Sequence, residues 1–174
     1  MIKYKEIIYS DKQYMDIVKD IISNELVQQM KQYRQHYSVS CFDHCLYVSY
    51  NLYRLCKKYK LDYASAARAG LVHDLFLYDW RKRENGRKGF HAFTHPKTAY
   101  ENARKILDLN DIEKDIILKH MWPVTLKFPK FKETFLMTYV DKYFACAERK
   151  ISLTSENRIY DEKNEGDVDE KNKL

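Results

Sequence analysis

Residues that interrupt helices are scarce in this chain. It contains 4 glycines and 3 prolines in 174 residues. A sandwich or barrel of many short strands needs more turn residues than this, whereas a bundle of long helices does not. With 45% hydrophobic residues, the chain is long enough for one domain with a substantial core and short for two. The sequence therefore predicts a single all-α domain, a bundle of about six to seven helices.

Apolar residues recur every three or four positions in several segments, which predicts where the helices lie. Ser40 and Asp62 carry side chains that cap helix starts, and we expect Thr94 or His95 to cap a later helix ahead of a proline. His95 would then stand at the mouth of that helix. The expected helices cover residues 11–34, 41–58, 62–74, 95–107, 111–121 and 132–150.

The two ends of the chain differ in composition from its middle. We expect residues 1–35 to form a helical extension that packs on the core, 36–150 to form the main domain, and 151–174 to form a largely disordered polar tail.

The net charge is +6, and residues 161–174 hold six acids against three bases, so the body is distinctly basic. A basic body could serve nucleic acid, a membrane surface or a small phosphorylated ligand. No Lys/Arg run is interleaved with aromatic residues as in nucleic-acid modules, which disfavours nucleic acid.

The cysteines and the hydropathy of the chain indicate its compartment. No CxxC pair, secretory signal or apolar run of roughly 18 residues is present. We therefore expect a cytoplasmic protein with no membrane partner and with free thiols that serve in packing. These thiols are Cys41, Cys45, Cys56 and Cys146.

Histidines and aspartates form an ordered series along the predicted helices. Asp74 and Asp141 interrupt apolar stretches, where an unpaired buried carboxylate costs on the order of several kcal/mol, so each needs a cation or a strong hydrogen-bonding partner. A salt bridge or a capping contact could explain either one alone, and a lone histidine is usually structural. Imidazoles and carboxylates together are the ligands that divalent metals prefer. The series is His44, His73, Asp74, His95, His120 and Asp141.

This series resembles the motif of the HD superfamily of metal-dependent phosphohydrolases, which is a histidine, a later His-Asp pair and a distant aspartate. In this chain these are His44, His73, Asp74 and Asp141. The resemblance covers roughly residues 36–150 and includes the Asp-Lys ending seen in that superfamily. It implies a helical metal site that hydrolyses a phosphoester or phosphoanhydride.

Two further histidines resemble those of the two-metal branch of the superfamily. They are His95 in Thr-His-Pro and His120 in Lys-His-Met-Trp-Pro. The four motif residues would hold one ion, and His95 and His120 would hold a second, with Asp74 bridging the two. The resemblance implies two divalent transition metals, Fe, Mn, Zn, Ni or Co, about 3.5 to 4 Å apart, that activate a water. His73 and Asp74 would then lie at the catalytic centre.

The substrate is less constrained than the metal ligands. Some two-metal members bind phosphate with a lysine shortly after the His-Asp pair, but here an apolar run begins at Leu75. His91 could protonate a leaving group or contact phosphate, or could be structural. A missing Gly-Tyr-Pro signature disfavours cyclic-di-GMP, and the ligand pattern resembles the branch that hydrolyses diadenosine tetraphosphate, so we expect a nucleotide or dinucleotide. A charged residue of this kind is more often a solvated surface charge, and the candidate phosphate-binding residues are Arg81, Arg87, Lys88, Lys97, Arg104 and Lys142.

Two other classes of function stay open at the level of sequence. The chain could be a regulatory module that keeps metal and nucleotide without turnover. It could also be a basic nucleic-acid-binding protein with structural histidines, which a steep salt dependence of binding would reveal. The sequence leaves the metal, the substrate and the oligomeric state undetermined.

Overall fold

The fold is a helical bundle with one small hairpin, seen in a computed structural model that describes residues 2–36, 39–82 and 89–149. The predicted all-α class is confirmed. The predicted tail at 151–174 lies outside the described residues. The helices are α1 (Ile2–Ser10), α2 (Lys12–Ser23), α3 (Glu25–Gln29), α4 (Cys41–Lys58), α5 (Tyr63–Val72), α6 (His91–Ala103), α7 (Asp111–Lys119) and α8 (132–149). A 3₁₀ turn (Met30–Gln32) leads into two antiparallel strands, β1 (Arg34–His36) and β2 (Val39–Ser40).

Helix α4 lies at the centre of the bundle and packs mainly against α5, which also meets α2 and α7. Its start is capped as predicted, because the Ser40 side chain accepts a hydrogen bond from the backbone N–H of Asp43 at 3.1 Å. The Asp62 side chain caps α5 in the same way, with the N–H of Ser65 at 2.9 Å. Local sequence therefore sets where both central helices begin.

The N-terminal helices pack on this centre through α2. Tyr14 and Val18 are fully buried. The Tyr14 hydroxyl lies 2.8 Å from Ser49 Oγ, and that Oγ donates to the carbonyl of Ala67 at 2.6 Å. One buried chain of hydrogen bonds thus links α2, α4 and α5.

The predicted helix over residues 11–34 is wrong in its extent, because it breaks at Asn24. The backbone of Asn24 is extended, at φ −66° and ψ 133°, and its side chain accepts from the N–H of Leu26 to start α3. Asparagine caps a helix better than it continues one. The apolar spacing runs through the break, so periodicity alone does not reveal it.

The predicted start of the helix over residues 95–107 is also wrong, because the corresponding helix, α6, begins at His91. Phe90 precedes it with extended backbone and no capping side chain. The hydroxyl of Thr94 does not cap, but donates back to the carbonyl of Phe90 at 3.2 Å. His95 therefore lies inside the second turn of α6 and not at its mouth.

The prediction of packing thiols is confirmed for Cys41, Cys45 and Cys56, which are buried and free, and is wrong for Cys146, which is exposed. Cys146 lies five residues after Asp141 on α8, about 140° away around the helix, and so faces solvent. Within the residues that the structure covers, no helix is both long and apolar enough to cross a membrane.

Helices α4 and α5 approach each other closely at Gly70. A Cβ placed on Gly70 would lie 2.9 Å from the backbone Cα of Ser49, closer than real atoms tolerate. We expect Gly70→Ala to lower the free energy of unfolding by about 1–3 kcal/mol, because the two backbones must separate. Helix propensity alone predicts the opposite sign, a gain of about 1 kcal/mol. Urea denaturation of both proteins decides between them, and a stabilised variant would contradict the close packing.

Asp115 anchors α7 to the segment that enters α8. It accepts hydrogen bonds from the backbone N–H groups of Lys130 (2.8 Å) and Phe131 (3.2 Å) and from the Thr134 hydroxyl (2.7 Å). Burial would raise the pKa of this carboxyl, but the ion pair with Lys119 and the hydrogen bonds outweigh burial and hold the pKa below its usual value.

A carboxyl whose pKa is lower in the folded than in the unfolded chain stabilises the fold when the pH is above the unfolded-state pKa of about 3.9. This stabilisation is lost as the pH falls through the folded-state pKa. We expect Asp115→Asn to cost about 1–3 kcal/mol of unfolding free energy at pH 7 and less near pH 3. Denaturation curves at the two pH values measure the difference. A cost that is independent of pH would argue against a role for the charge.

Candidate metal centre

The structure brings all six residues of the predicted ligand series to one place. His44 lies in the first turns of α4, and His73 and Asp74 follow directly at the end of α5, as predicted. His95 comes from α6 and His120 from the end of α7. Asp141 completes the centre from α8. The side chains of the four histidines and of Asp74 are almost completely buried.

Two groups of ligand atoms can be distinguished. In the first, Asp141 Oδ1 lies 3.0 Å from His44 Nε2 and 3.7 Å from His73 Nε2. In the second, His95 Nε2 and His120 Nε2 lie 2.8 Å apart, and Asp74 Oδ1 lies 3.1 Å and 3.5 Å from them. Asp74 belongs to both groups, since its other oxygen lies 3.4 Å from His73 Nε2.

All four histidines are held in the same way, with Nδ1 bound to an oxygen and Nε2 directed into the centre. Because an oxygen acceptor requires Nδ1 to carry a proton, each of these rings presents the Nε2 lone pair to the centre when it is in its neutral form. Metal-binding histidines typically show this arrangement. The acceptors are the Glu148 carboxylate for His44 (3.1 Å), the Gly70 carbonyl for His73 (2.8 Å), the His91 carbonyl for His95 (2.8 Å) and the Ile117 carbonyl for His120 (2.9 Å).

The pKa values of the residues at the centre are shifted because the histidines and carboxylates lie close together and are buried. Burial would raise the pKa of Asp74 and Asp141, but the histidines around them hold both pKa values well below the usual range. Burial would lower the pKa of His44, but its two carboxylate partners raise it. Burial and the adjacent His95 lower the pKa of His120 to about 3. Both carboxylates are therefore ionised at neutral pH, while His120 carries a lone pair on Nε2.

Divalent metals fit these residues. His95 Nε2 faces His120 Nε2 at 2.8 Å, and two lone pairs at that distance repel unless a proton or a metal ion lies between them. His73 Nε2 and Asp74 Oδ1 are buried atoms without a hydrogen-bond partner. A cation coordinated by these atoms would satisfy all of them, and imidazole with carboxylate suits transition metals.

Two residues that the sequence did not single out also contact the centre. The Gln35 side-chain amide, from β1, donates to Asp74 Oδ2. Trp80 Nε1 in turn donates to the Gln35 carbonyl at 3.2 Å. Glu148 holds the ring of His44 from α8. Glu148 follows Asp141 by seven residues, which places the two on one helix face, and this spacing is the signal that could have found it.

A cavity of about 280 Å³ opens beside the ligands. Its polar lining includes Gln35, His91 and Lys142, and much of the remaining wall is apolar. His91 accepts or donates a hydrogen bond at Nδ1 with the Tyr78 hydroxyl at 3.1 Å, and its ring stacks between Trp80 and His95. His91 therefore borders the cavity, and its contact with a substrate stays a prediction.

The four predicted phosphate-binding residues that the structure describes lie in different surroundings. Lys142 lines the cavity. Arg104 is exposed in the turn after α6 and pairs with Glu101 at 3.3 Å, and Arg81 packs over the Trp80 ring. Lys97 is exposed on α6. Arg87 and Lys88 lie outside the described residues.

This chain is a helical bundle whose buried imidazoles and carboxylates converge on one place and could hold a metal ion. The model of the HD domain family matches residues 41–160, so the chain belongs to the HD domain family. HD domains bind divalent metals and are typically metal-dependent hydrolases. No curated protein and no solved structure matches the chain. Gln35 lies outside the matched residues, although it contacts Asp74.

Proposed function

We propose that this protein is a phosphohydrolase that uses two divalent ions to cleave a phosphoester or phosphoanhydride bond of a nucleotide. The observation that carries the proposal is the position of Asp74. One of its oxygens faces His73 at 3.4 Å and the other faces His95 at 3.1 Å. One carboxylate shared by two groups of histidines supports a bridged pair of ions.

When bound, two ions at such a centre polarise a phosphoryl oxygen and lower the pKa of a water toward neutrality. The residues of the chain supply the rigid frame for this chemistry. Hydrogen bonds at Nδ1 orient the four imidazole rings, and the Gln35 side chain donates a hydrogen bond to the Asp74 carboxylate. The burial of His73 and Asp74 keeps bulk water away from the charges, which strengthens their interactions.

Lys142 is our candidate for binding the substrate phosphate. It lines the cavity next to Asp141, and its Nζ donates to the carbonyl of Trp122 at 2.7 Å. Nζ also donates to the carbonyl of His120 at 3.5 Å, so these two contacts fix the ammonium group and leave one donor for a phosphate oxygen. Burial lowers its pKa, and the Asp141 carboxylate opposes that change. The other candidates remain predictions: Arg81, Arg87, Lys88, Lys97 and Arg104.

A nucleotide is the substrate class that the cavity supports best. Its volume of about 280 Å³ suits one nucleotide unit, which for a dinucleotide would be one half of the molecule. The apolar walls of the cavity provide a surface for a base, and His91, which stacks between Trp80 and His95, lines the cavity beside the ligand candidates. His91 is our candidate for contacting the leaving group.

A hydrolysis panel tests the proposal. The full chain, purified anaerobically and loaded in turn with Mn, Fe, Co, Ni or Zn, is incubated with nucleoside mono-, di- and triphosphates and diadenosine polyphosphates. We expect metal-dependent turnover of at least one substrate, resolved by anion-exchange chromatography. Full metal loading without turnover of any substrate would refute a hydrolase and favour a regulatory module. Steeply salt-dependent binding of RNA or DNA would favour the nucleic-acid alternative.

A further inference from the structure

Glu148 is a buried carboxylate that the HD motif does not include. It is 4% exposed and lies in the last turns of α8. Its two oxygens lie 3.1 Å and 3.2 Å from His44 Nδ1. A buried carboxylate requires a strong partner, and the partner here is a metal-ligand candidate.

The ring of His44 lies between two carboxylates of one helix. Asp141 contacts its Nε2 at 3.0 Å, and Glu148 contacts its Nδ1 at 3.1 Å. These two acids are seven residues apart, two helical turns, so both project from the same face of α8. A rotation of the imidazole about its Cβ–Cγ bond would break both contacts. The pair therefore determines which nitrogen faces the centre.

His44 differs in this respect from the other three histidines. His73, His95 and His120 each bind a backbone carbonyl three or four residues earlier, a contact that the local helix geometry provides. His44 instead uses a charged side chain 104 residues away in the sequence. Its orientation therefore depends on the docking of α8, and a carboxylate acceptor makes a stronger hydrogen bond than a carbonyl.

We propose that Glu148 is a positioning residue that fixes the tautomer and orientation of His44 and thereby strengthens metal binding by His44, His73 and Asp141. The inference rests on the metal centre of the proposed function. A carboxylate behind a ligand histidine holds the ring in place and increases its strength as a ligand, and loss of such a partner typically costs about 10–100-fold in metal affinity.

The test measures metal affinity and not activity alone. Zn²⁺ is titrated into the metal-free full chain in competition with a chromogenic chelator, for wild type, Glu148→Ala and Glu148→Gln. We expect Glu148→Ala to weaken one Zn²⁺-binding step about 10–100-fold. Glu148→Gln keeps an oxygen that accepts from Nδ1 but loses the charge, so it should fall between the other two. Two-dimensional ¹H–¹⁵N spectra of the His44 ring should show a protonated Nδ1 in the Zn²⁺-bound wild type.

Glu133→Gln is the matched control. Glu133 is a buried acid of the same helix, 6% exposed, and accepts from the backbone N–H of Asp62 far from the ligands. We expect this variant to lose stability and to keep wild-type Zn²⁺ affinity. Circular dichroism in chelator reports folding of every variant.

The outcomes separate this inference from the proposed function. Wild-type Zn²⁺ affinity in Glu148→Ala, or an equal loss in Glu133→Gln, would overturn the positioning role while leaving the hydrolase proposal intact. A wild-type chain that binds no Zn²⁺, Mn²⁺ or Co²⁺ would refute both. A graded loss in the order wild type, Glu148→Gln, Glu148→Ala supports the positioning role even if no substrate has been found.

Discussion

Replacing Asp74 by asparagine should abolish hydrolysis and remove most of the bound metal. The Asp74 carboxylate contacts both groups of histidines, at 3.4 Å from His73 and 3.1 Å from His95. An amide cannot supply two anionic oxygens to two cations. We expect about two ions per wild-type chain, fewer than one in the variant, and a loss in kcat/KM of about 10³-fold or more. Plasma mass spectrometry on anaerobically purified protein measures the metal.

Asp43→Asn is the control for this experiment. Asp43 immediately precedes His44 on α4 and pairs with Lys5 Nζ at 2.7 Å, away from the ligands. We expect this variant to keep both ions and its turnover. Wild-type metal content in Asp74→Asn would contradict a bridged centre, and equal losses in both variants would point to a general effect of charge.

Replacing His120 by alanine should remove one ion and spare the other. His120 Nε2 lies 2.8 Å from His95 Nε2 and 3.5 Å from Asp74 Oδ1. The other group of ligand candidates is formed by His44 and His73, whose Nε2 atoms lie 3.0 Å and 3.7 Å from Asp141 Oδ1. We expect about one ion per chain and a loss in kcat of about 10²-fold or more, because two-ion stabilisation of the attacking and leaving oxygens is lost.

Metal removal gives a second measurement on the same variant. An ion that binds the folded chain raises the melting temperature, and each site contributes separately. Addition of chelator should therefore lower the melting temperature of the wild type more than that of His120→Ala. Loss of both ions in the variant would show that the two groups of ligands bind as one unit.

The ends of α5 and α7 show how far local sequence determines the centre. His73 and Asp74 follow an alanine-rich helix that Asp62 starts, and His120 ends a helix just before Trp122-Pro123. Capping and helix-breaking residues act over a few positions, so these ends could be predicted. The predicted clustering of the six ligands depended on the family resemblance, since spacing alone left salt bridges and structural histidines open.

Gln35 and Glu148 show where this kind of prediction stops. Each contacts the centre through a residue that is distant in sequence, Asp74 at a separation of 39 and His44 at a separation of 104. Neither residue lies in a short motif: the seven-residue spacing from Asp141 is a signal for Glu148, whereas nothing in the sequence distinguishes Gln35 from a surface polar residue. Their roles depend on how β1 and α8 dock against α4 and α5.

The sequence by itself determined the helical class and the helix ends that carry His73, Asp74 and His120, because the scarcity of helix-breaking residues, apolar periodicity and capping are local properties. Only the tertiary structure decided that α6 begins at His91, that Gln35 contacts Asp74 and that Glu148 contacts His44. Those features depend on buried hydrogen bonds between distant segments, and such bonds form only when the core excludes water and brings the segments together.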